Sequence, residues 1–417
     1  MGKEENSGTS EGQSRIKGLK LRRIDEGAVS IFVPDPNYYR DRRDEYLPAT
    51  LPVFYNPKME LNRDISVLIL KAYIENFERG DTRYMEGLAA SGIRGFRISK
   101  ELQTSVEIIL NDINPRATAL MEYNRALLNT QEKIEIFNLD FNFLCHKLKK
   151  ESQLPNVIEI DPFGTPTPFL HAAINALDYE NAMLICSATD LTVLHGKYPK
   201  VALRKYGSKI INTPFSKELS IRALLYTIGR IAGNFNRYIK PLVGFFFDNF
   251  AKVAVLINKG KRKANAMWEK IGWLHFCPVC HSFWFHSGIT PRNVTECNHQ
   301  QTQVAGPLWL DSIVDENFGT SMLSTLDDLP IRNQNSWKLR KAIRRSLKGK
   351  DIPFFYDVNR IAQRLSLPLP KVNEVVEGIR TKGHNAYRTH FCSTGVKTNI
   401  PARLVTQEVK KCIKRGG

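Results

Sequence analysis

A parallel, doubly wound α/β sheet followed by a smaller, basic α+β domain is the fold this 417-residue sequence predicts, on three observations. From Arg83 to Cys186, short β-rich runs alternate with helical patterns, the rhythm of successive βαβ units. Further on, Leu242–Phe247 and Lys252–Asn258 are separated only by Asp248–Ala251, too little chain for a helical crossover, so they should pair antiparallel. After Gly260 the composition turns Cys-rich and then strongly basic, which marks a second unit.

Taken in order, residues 1–23 have the polarity of a disordered tail, and order is expected near Ile24. The parallel strands expected are Arg83–Leu88, Val106–Leu110, Ile134–Leu139, Val157–Ile160 and Met183–Cys186. Between them, Pro115–Leu128 carries Ala117, Leu120, Met121, Leu127 and Leu128 at helical intervals, the stripe of a helix laid on a sheet. These elements and the antiparallel pair define a first domain over 24–262. A second, over 263–417, opens with Cys277–His299, a zinc-ribbon-like segment, and passes through Gly306-Pro307-Leu308-Trp309. Helical patterns at Val358–Ala362 and Val372–Ile379 flank a Leu367-Pro368-Leu369-Pro370 break. With a hairpin-like tail through Tyr387 and Phe391 they read as a winged-helix-like module.

Charge points to the partner. The net charge is +18, and from Ile331 onward 20 Lys and Arg face 5 Asp and Glu, so +15 of it lies in the last fifth of the chain. A near-neutral domain for chemistry and a basic one for a phosphate backbone fit this asymmetry; a solvated basic surface is the plainer alternative. Seven cysteines spread over a long chain argue for a reducing compartment rather than a disulfide framework. Residues Met1–Gly18 lack an apolar signal region, and Glu4, Glu5 and Glu11 count against a mitochondrial presequence. The most apolar run, Leu242–Ile257, is broken by Asp248 and Lys252 and is too short to span a bilayer. A soluble, monomeric protein of the nucleus or cytoplasm is expected, with no membrane partner.

Four groups of residues carry chemistry. Glu86 to Gly95 is a Gly/Ala-rich turn between a strand and a helix, where small residues let a backbone approach a ligand at Gly92. Asp112, 20 residues after Gly92, ends the next strand and is placed to accept ribose hydroxyls of a nucleoside cofactor. Asp140 either receives the amine of an adenine or caps the helix after it. Asp161-Pro162-Phe163-Gly164 ends the fourth strand. The lone pair of an exocyclic base amine is delocalised, so attack on an electrophilic methyl needs an acceptor for its N–H bonds. Asp161 can be that acceptor and also the base, the Pro162 carbonyl can be a second acceptor, and Phe163 can stack on a base that has left its helix; a β-turn with a buried aromatic is the plainer alternative. Upstream, Arg63 offers a planar fork for a carboxylate and Phe54 a second ring, though a solvated helix start explains them equally. Cys277-Pro278-Val279-Cys280, Cys297 and His299 form a candidate tetrahedral set for structural Zn²⁺, with His275, His281 and His286 competing.

These residues closely resemble one family, the tRNA guanine-26 N2-dimethyltransferases. The resemblance runs from about Glu26 to Pro401 and rests on Phe54–Asp64, Ala90–Arg94, Asp161–Pro166, Thr189-Asp190, Gly306–Trp309 and Arg388–Phe391. It implies a Rossmann-like class I methyltransferase domain, S-adenosylmethionine as cofactor, and two methyl transfers to one guanine in the hinge between two tRNA stems. It further implies that Arg63, Arg94, Asp112 and Asp140 line the cofactor site, that Asp161 is the catalytic acceptor, and that Phe54 and Phe163 hold the guanine. The second domain would grip the tRNA, with Arg388, His390 and Lys397 as candidates. One departure stands out: family members commonly carry a second Cys-x-x-Cys pair before Gly-Pro-Leu-Trp, where this chain has Cys297-Asn298-His299-Gln300. Methylation of an adenine amine is the nearest rival reaction. A non-catalytic tRNA-binding protein on the same fold is the other, and the intact Arg63, Asp112 and Asp161 speak against it.

Overall fold

The computed structural model describes residues 16 and 18–415, apart from 41–46, 78–81, 103, 129–132, 293–296 and 300. Most of the expected tail, 1–15 and 17, lies outside the described residues. Strand β1 (Leu21–Glu26) starts ahead of the expected Ile24 and pairs antiparallel with β2 (Val29–Pro34). The reason is Leu19, a buried apolar anchor that packs with Val53, Ala117 and Leu120. Helix α1 (Glu60–Phe77) follows, buried over most of its circumference.

The central sheet takes β3 (Thr82–Glu86), β4 (Val106–Asn111), β5 (Ile134–Phe137), β6 (Val157–Ile160), β7 (Ala182–Ala188), β8 (Arg237–Phe247) and β9 (Phe250–Lys259) in the order β5-β4-β3-β6-β7-β9-β8. The first five are parallel; β9 runs antiparallel to β8, as the spacing of the two apolar runs predicts, and also to β7. Strand β8 begins five residues before the expected Leu242, because an edge strand tolerates Pro241 where the ladder has a bulge.

Successive residues of the central strands feed opposite cores. Tyr84, Ile108, Val157 and Met183 pack toward α1, α2 (Ile93–Glu101) and α3 (Pro115–Leu128). Met85, Ile109, Ile158 and Leu184 pack toward α4 (Phe141–Lys150) and α5 (Thr167–Ala176). After the short α6 (Leu191–Leu194) and α7 (Pro199–Tyr206), α8 (Ser216–Asn234) joins this second core.

Beyond α9 (Lys261–Ala266), strands β10 (Ile271–Phe276), β11 (Phe283–Ser287) and β12 (Gln303–Trp309) form an antiparallel sheet with β10 central. Helices α10 (Glu316–Thr325) and α11 (Asn333–Lys348) then return to the α1 side of the main sheet, where Phe318, Met322, Leu339 and Ile343 are buried. The chain ends with β13 (Tyr356–Asp357), α12 (Val358–Arg364), α13 (Val372–Arg380), β14 (Ala386–Arg388), β15 (Gly395–Thr398) and α14 (Ala402–Arg415). Helices α12 and α13 and the β14–β15 pair fall on the segments expected to be helical and hairpin-like.

The C-terminal region is keyed into the first by buried charge. Glu218 of α8 accepts from Arg222 (2.8 Å), from the Phe354 N–H (2.9 Å) and from Lys397 Nζ (2.9 Å), while Lys397 also donates to the Ile352 carbonyl at 2.7 Å. This corrects two expectations for RNA contacts. Lys397 is buried and committed to Glu218, so it cannot meet a phosphate. His390 is turned inward against Phe245 and Phe391, its Nδ1 is 3.0 Å from Ser346 Oγ, and burial pushes its imidazole down to about 3, so it is neutral. Arg388 is half-buried at the surface. No helix among the described residues is long and apolar enough to cross a membrane.

Candidate active site and metal centre

The carboxyl ends of β3 to β7 carry Glu86, Asp112, Asp140, Asp161 and Thr189 along one edge of the sheet, the edge at which open parallel sheets bind ligands. The turn after β3 requires glycine at Gly92: its φ is +75°, and a Cβ there would lie 2.6 Å from the Phe96 ring. Ala90 also has positive φ, and its N–H donates to Asp112 Oδ2 at 2.8 Å, while Asp112 Oδ1 accepts from the Asn114 N–H at 2.9 Å. The carboxylate is thus fixed beside the turn, as the spacing of the two motifs leads one to expect. Asp140 Oδ1 accepts from the Phe143 N–H at 3.0 Å, which is the helix-capping alternative, here at the start of α4.

At the centre of the edge two cations meet three carboxylates. Arg94 donates to Glu86 Oε1 (2.9 Å), to Asn62 Oδ1 (3.1 Å) and to Asp161 Oδ2, and lies 3.4 Å from Glu159 Oε1. Lys252, fully buried on β9, donates to Glu159 Oε1 (2.7 Å), Ser66 Oγ (2.7 Å) and Asn62 Oδ1 (2.8 Å). Burial raises the Asp161 and Glu159 carboxyls, but Arg94 and Lys252 outweigh it and hold both below the usual carboxylate range. Glu86 takes the consequence. Burial, reinforced by Glu159 and Asp161 and opposed by Arg94, pushes it up to about 8, so it holds a proton at neutral pH.

That assignment has a sign that can be checked. Glu86 ionises near 4.5 in the unfolded chain and near 8 in the folded one, so its contribution is fully present below pH 4.5 and is lost progressively as pH rises to about 8. Thermal unfolding midpoints of the wild type are expected to fall across this window relative to Glu86→Gln, in which the decline disappears. Parallel pH curves for the two proteins would refute the protonated Glu86.

The Asp161–Gly164 turn is clamped from β7: the Gly164 N–H donates to Thr189 Oγ1 at 2.7 Å and its carbonyl accepts from the Thr189 N–H at 2.8 Å. The Asp161 side chain keeps 14% of its surface exposed. Beside it Phe163 is 67% exposed and meets Phe54 edge-on, with ring centroids 4.4 Å apart. The structure therefore brings together Phe54, Arg94, Asp161 and Phe163. Arg63 departs from expectation: both arms of its fork donate to Glu26, at 2.6 Å each, and it also bonds the Asn56 carbonyl at 3.3 Å. A carboxylate of the chain already fills the place expected for one from a cofactor, and Arg63 thereby anchors the Phe54-bearing segment to β1. Glu159 and Lys252 are candidate site residues that sequence reasoning missed, and Glu86 and Asn62 lay within its motifs without a role. The available signal was a Glu and a Lys inside otherwise apolar strands, residues almost never fully buried unless paired.

In the second region Cys277, Cys280, Cys297 and His299 converge, with one ligand atom from each lying within 4.8 Å of the others. Three sulfurs and an imidazole at that spacing fit a tetrahedral Zn²⁺ with no open position, hence a structural ion. The competing His275 packs on Trp284 and His286 instead.

Comparison with known proteins gives the family. The family model described as N2,N2-dimethylguanosine tRNA methyltransferase matches residues 27–410. A tRNA (guanine(26)-N(2))-dimethyltransferase of Methanosphaera stadtmanae is 34% identical over 383 residues, covering 91% of this chain and 94% of that protein. That of Saccharolobus solfataricus is 32% identical, covering 95% of this chain and 99% of its own length. Among solved structures, Trm1 from Pyrococcus horikoshii in complex with S-adenosyl-L-methionine superposes with a TM-score of 0.80 at 29% identity, covering 93% of this chain and 99% of that one. A match along nearly the whole chain, over the residues that build the site, makes this protein a member of the N2,N2-dimethylguanosine tRNA methyltransferase family.

Proposed function

We propose that this chain transfers two methyl groups from S-adenosylmethionine to the exocyclic N2 amine of guanine 26 in tRNA. The observation that carries the reading is Asp161: a carboxylate held ionised by two cations, with an exposed edge, beside two aromatic rings at the ligand-binding edge of the sheet. S-adenosylmethionine supplies an electrophilic methyl group. The Gly92 turn and the fixed Asp112 carboxylate suit its nucleoside part, and Asp140 retains a second oxygen for an adenine amine. Asp161 accepts an N–H bond of the target amine and localises its lone pair; the Pro162 carbonyl is the second acceptor. Each transfer frees one proton, which Asp161, too weak a base to keep it, passes to water. Phe54 and Phe163 hold the guanine. Their rings touch, so a base entering between them must first part them, and stacking on either face contributes about 1–3 kcal/mol.

In the second domain, the order α11, β13, α12, α13, β14, β15 and the sheet order β13-β15-β14 support a winged-helix-like module. The β10–β12 sheet with its Cys₃His cluster supports a zinc-ribbon-like segment. Zinc held by Cys277, Cys280, Cys297 and His299 would tie the β10–β11 turn to the segment before β12. His299 then serves where relatives are expected to use a fourth cysteine.

The reading is tested by incubating the purified chain with unmodified tRNA and S-adenosylmethionine and identifying the nucleosides by mass spectrometry. N2,N2-dimethylguanosine is expected. Methyladenosine would move the specificity to the other exocyclic amine, and no product despite cofactor binding would end the tRNA reading.

A further inference from the structure

A groove of about 680 Å³ runs between α11 and α13, with β14 at one side; seven cationic side chains and one carboxylate, Glu377, line it. Glu377 is already paired with Arg380 at 2.8 Å, and Arg340 with Asp327. Along α11, Trp337, Lys341, Arg344 and Lys348 recur at helical intervals on the exposed face, opposite the buried Leu339, Ala342, Ile343 and Ser346. Among the described residues, Lys341, Arg344 and Lys348 have no carboxylate partner. Burial and the charges of Arg345 and Arg388 depress Lys341, and burial and Arg388 depress Arg345, so the cations crowd one another. Trp337 is 60% exposed, with Lys341 Nζ 4.2 Å from its ring centroid. A large ring left in water among unbalanced cations is a platform for a flat, anion-bearing ligand.

The groove is also joined to the active site. Asn335, in the first turn of α11, donates to Asp64 at 2.7 Å, and Arg332 pairs with Glu60 at 2.9 Å, both in the first turns of α1 beside Asn62 and Arg63. From there α11 carries its cationic stripe outward for about 20 Å, at about 1.5 Å per residue.

We propose that this groove seats an RNA strand of the substrate, its phosphates on the carboxylate-free Lys341, Arg344 and Lys348 of one wall, facing Arg388, which Asn373 and the Ser393 carbonyl hold in place on the other, and a base stacked on Trp337. The inference rests on the tRNA reading above and deepens it: it gives the grip a place, on α11 and α13, and replaces the inward-turned His390 and the buried Lys397. Repeated phosphate charge accounts for cations on both walls, and a base for the ring, which a small anion would leave without a task.

The test measures tRNA affinity of the full-length chain across a salt series, with S-adenosylmethionine affinity as the check on folding. Arg344→Ala/Lys348→Ala is expected to weaken binding at least about tenfold at low salt and to flatten the plot of log affinity against log salt by about 1.4–1.8. Trp337→Ala is expected to weaken binding about tenfold with the slope unchanged, because stacking releases no counterions. Wild-type affinity and slope in the double variant would overturn the proposal. So would an equal loss from Lys410→Ala/Lys411→Ala, which removes the same charge from α14 outside the groove. A wild type that methylates tRNA while these variants bind normally fails only this inference; one that binds no tRNA fails the functional reading and this inference with it.

Discussion

Asp161→Asn is expected to lower the rate of methyl transfer about 10²–10⁴-fold while leaving tRNA affinity essentially unchanged. The substitution keeps the shape of the side chain and an acceptor oxygen but removes the charge that localises the lone pair of the target amine. Arg94 remains engaged by Glu86, Glu159 and Asn62, so the edge of the sheet does not collapse. Glu86 should lose its proton more easily once the neighbouring negative charge is gone, which returns a counter-ion to Arg94. Asp161→Glu distinguishes charge from placement: the carboxylate survives, but one added methylene shifts it by about 1 Å, enough to cost about 10²-fold where reacting atoms must be aligned. Single-turnover measurements with saturating tRNA and cofactor read the chemical step directly. A rate for Asp161→Asn close to wild type would remove Asp161 from the reaction and leave Arg94 as the group to examine.

The sequence was most legible where backbone periodicity and motif spacing act together. Alternating β-rich and helical runs place the strands to within a few residues, and the short Asp248–Ala251 link forces the antiparallel β8–β9 pair. Gly92, Asp112 and Asp161 fall on the carboxyl edge of the sheet because each ends a strand or opens a helix, and strand ends are readable. Partners are not. Nothing in the spacing of Arg63 shows that Glu26, 37 residues away, will occupy its fork. Lys397 looks like any cation of a basic tail until α8 presents Glu218 beneath it. The exposed stripe of α11 is visible in sequence as a basic amphipathic pattern, but its meaning depends on α13 and β14 forming the other wall. Lys252 is the sharpest case: in sequence it merely interrupts an apolar run, and only the sheet order, which sets β9 beside β7 and carries its side chains toward α1, reveals why the run needs a charge.

Removing that charge should have the second largest effect. Lys252→Met preserves volume and takes away the ammonium that Glu159, Asn62 and Ser66 share. Glu159 stays buried with Arg94 3.4 Å away and Tyr84 and Ser66 as hydroxyl donors, one cation short. Breaking a buried pair in this way typically destabilises by about 3–5 kcal/mol, because the remaining charge has lost both water and partner. Lys252→Met/Glu159→Gln should recover much of that loss, since no unpaired charge is left inside. Chemical denaturation of the two variants and wild type measures both steps. Stability alone would not separate a structural pair from one that serves the reaction, and the pH dependence of methyl transfer does. Asp161 is depressed by Arg94 and Lys252, so activity is present above its folded pKa and lost as pH falls through it. With Lys252 gone that pKa rises, and the acid limb of the profile should move toward higher pH in Lys252→Met, and by less in the double variant, where the like charge of Glu159 is removed together with the cation. An unmoved acid limb would confine Lys252 to holding β9 against α1; a moved one makes it the residue that keeps Asp161 ionised once the entering base has displaced water from its exposed edge.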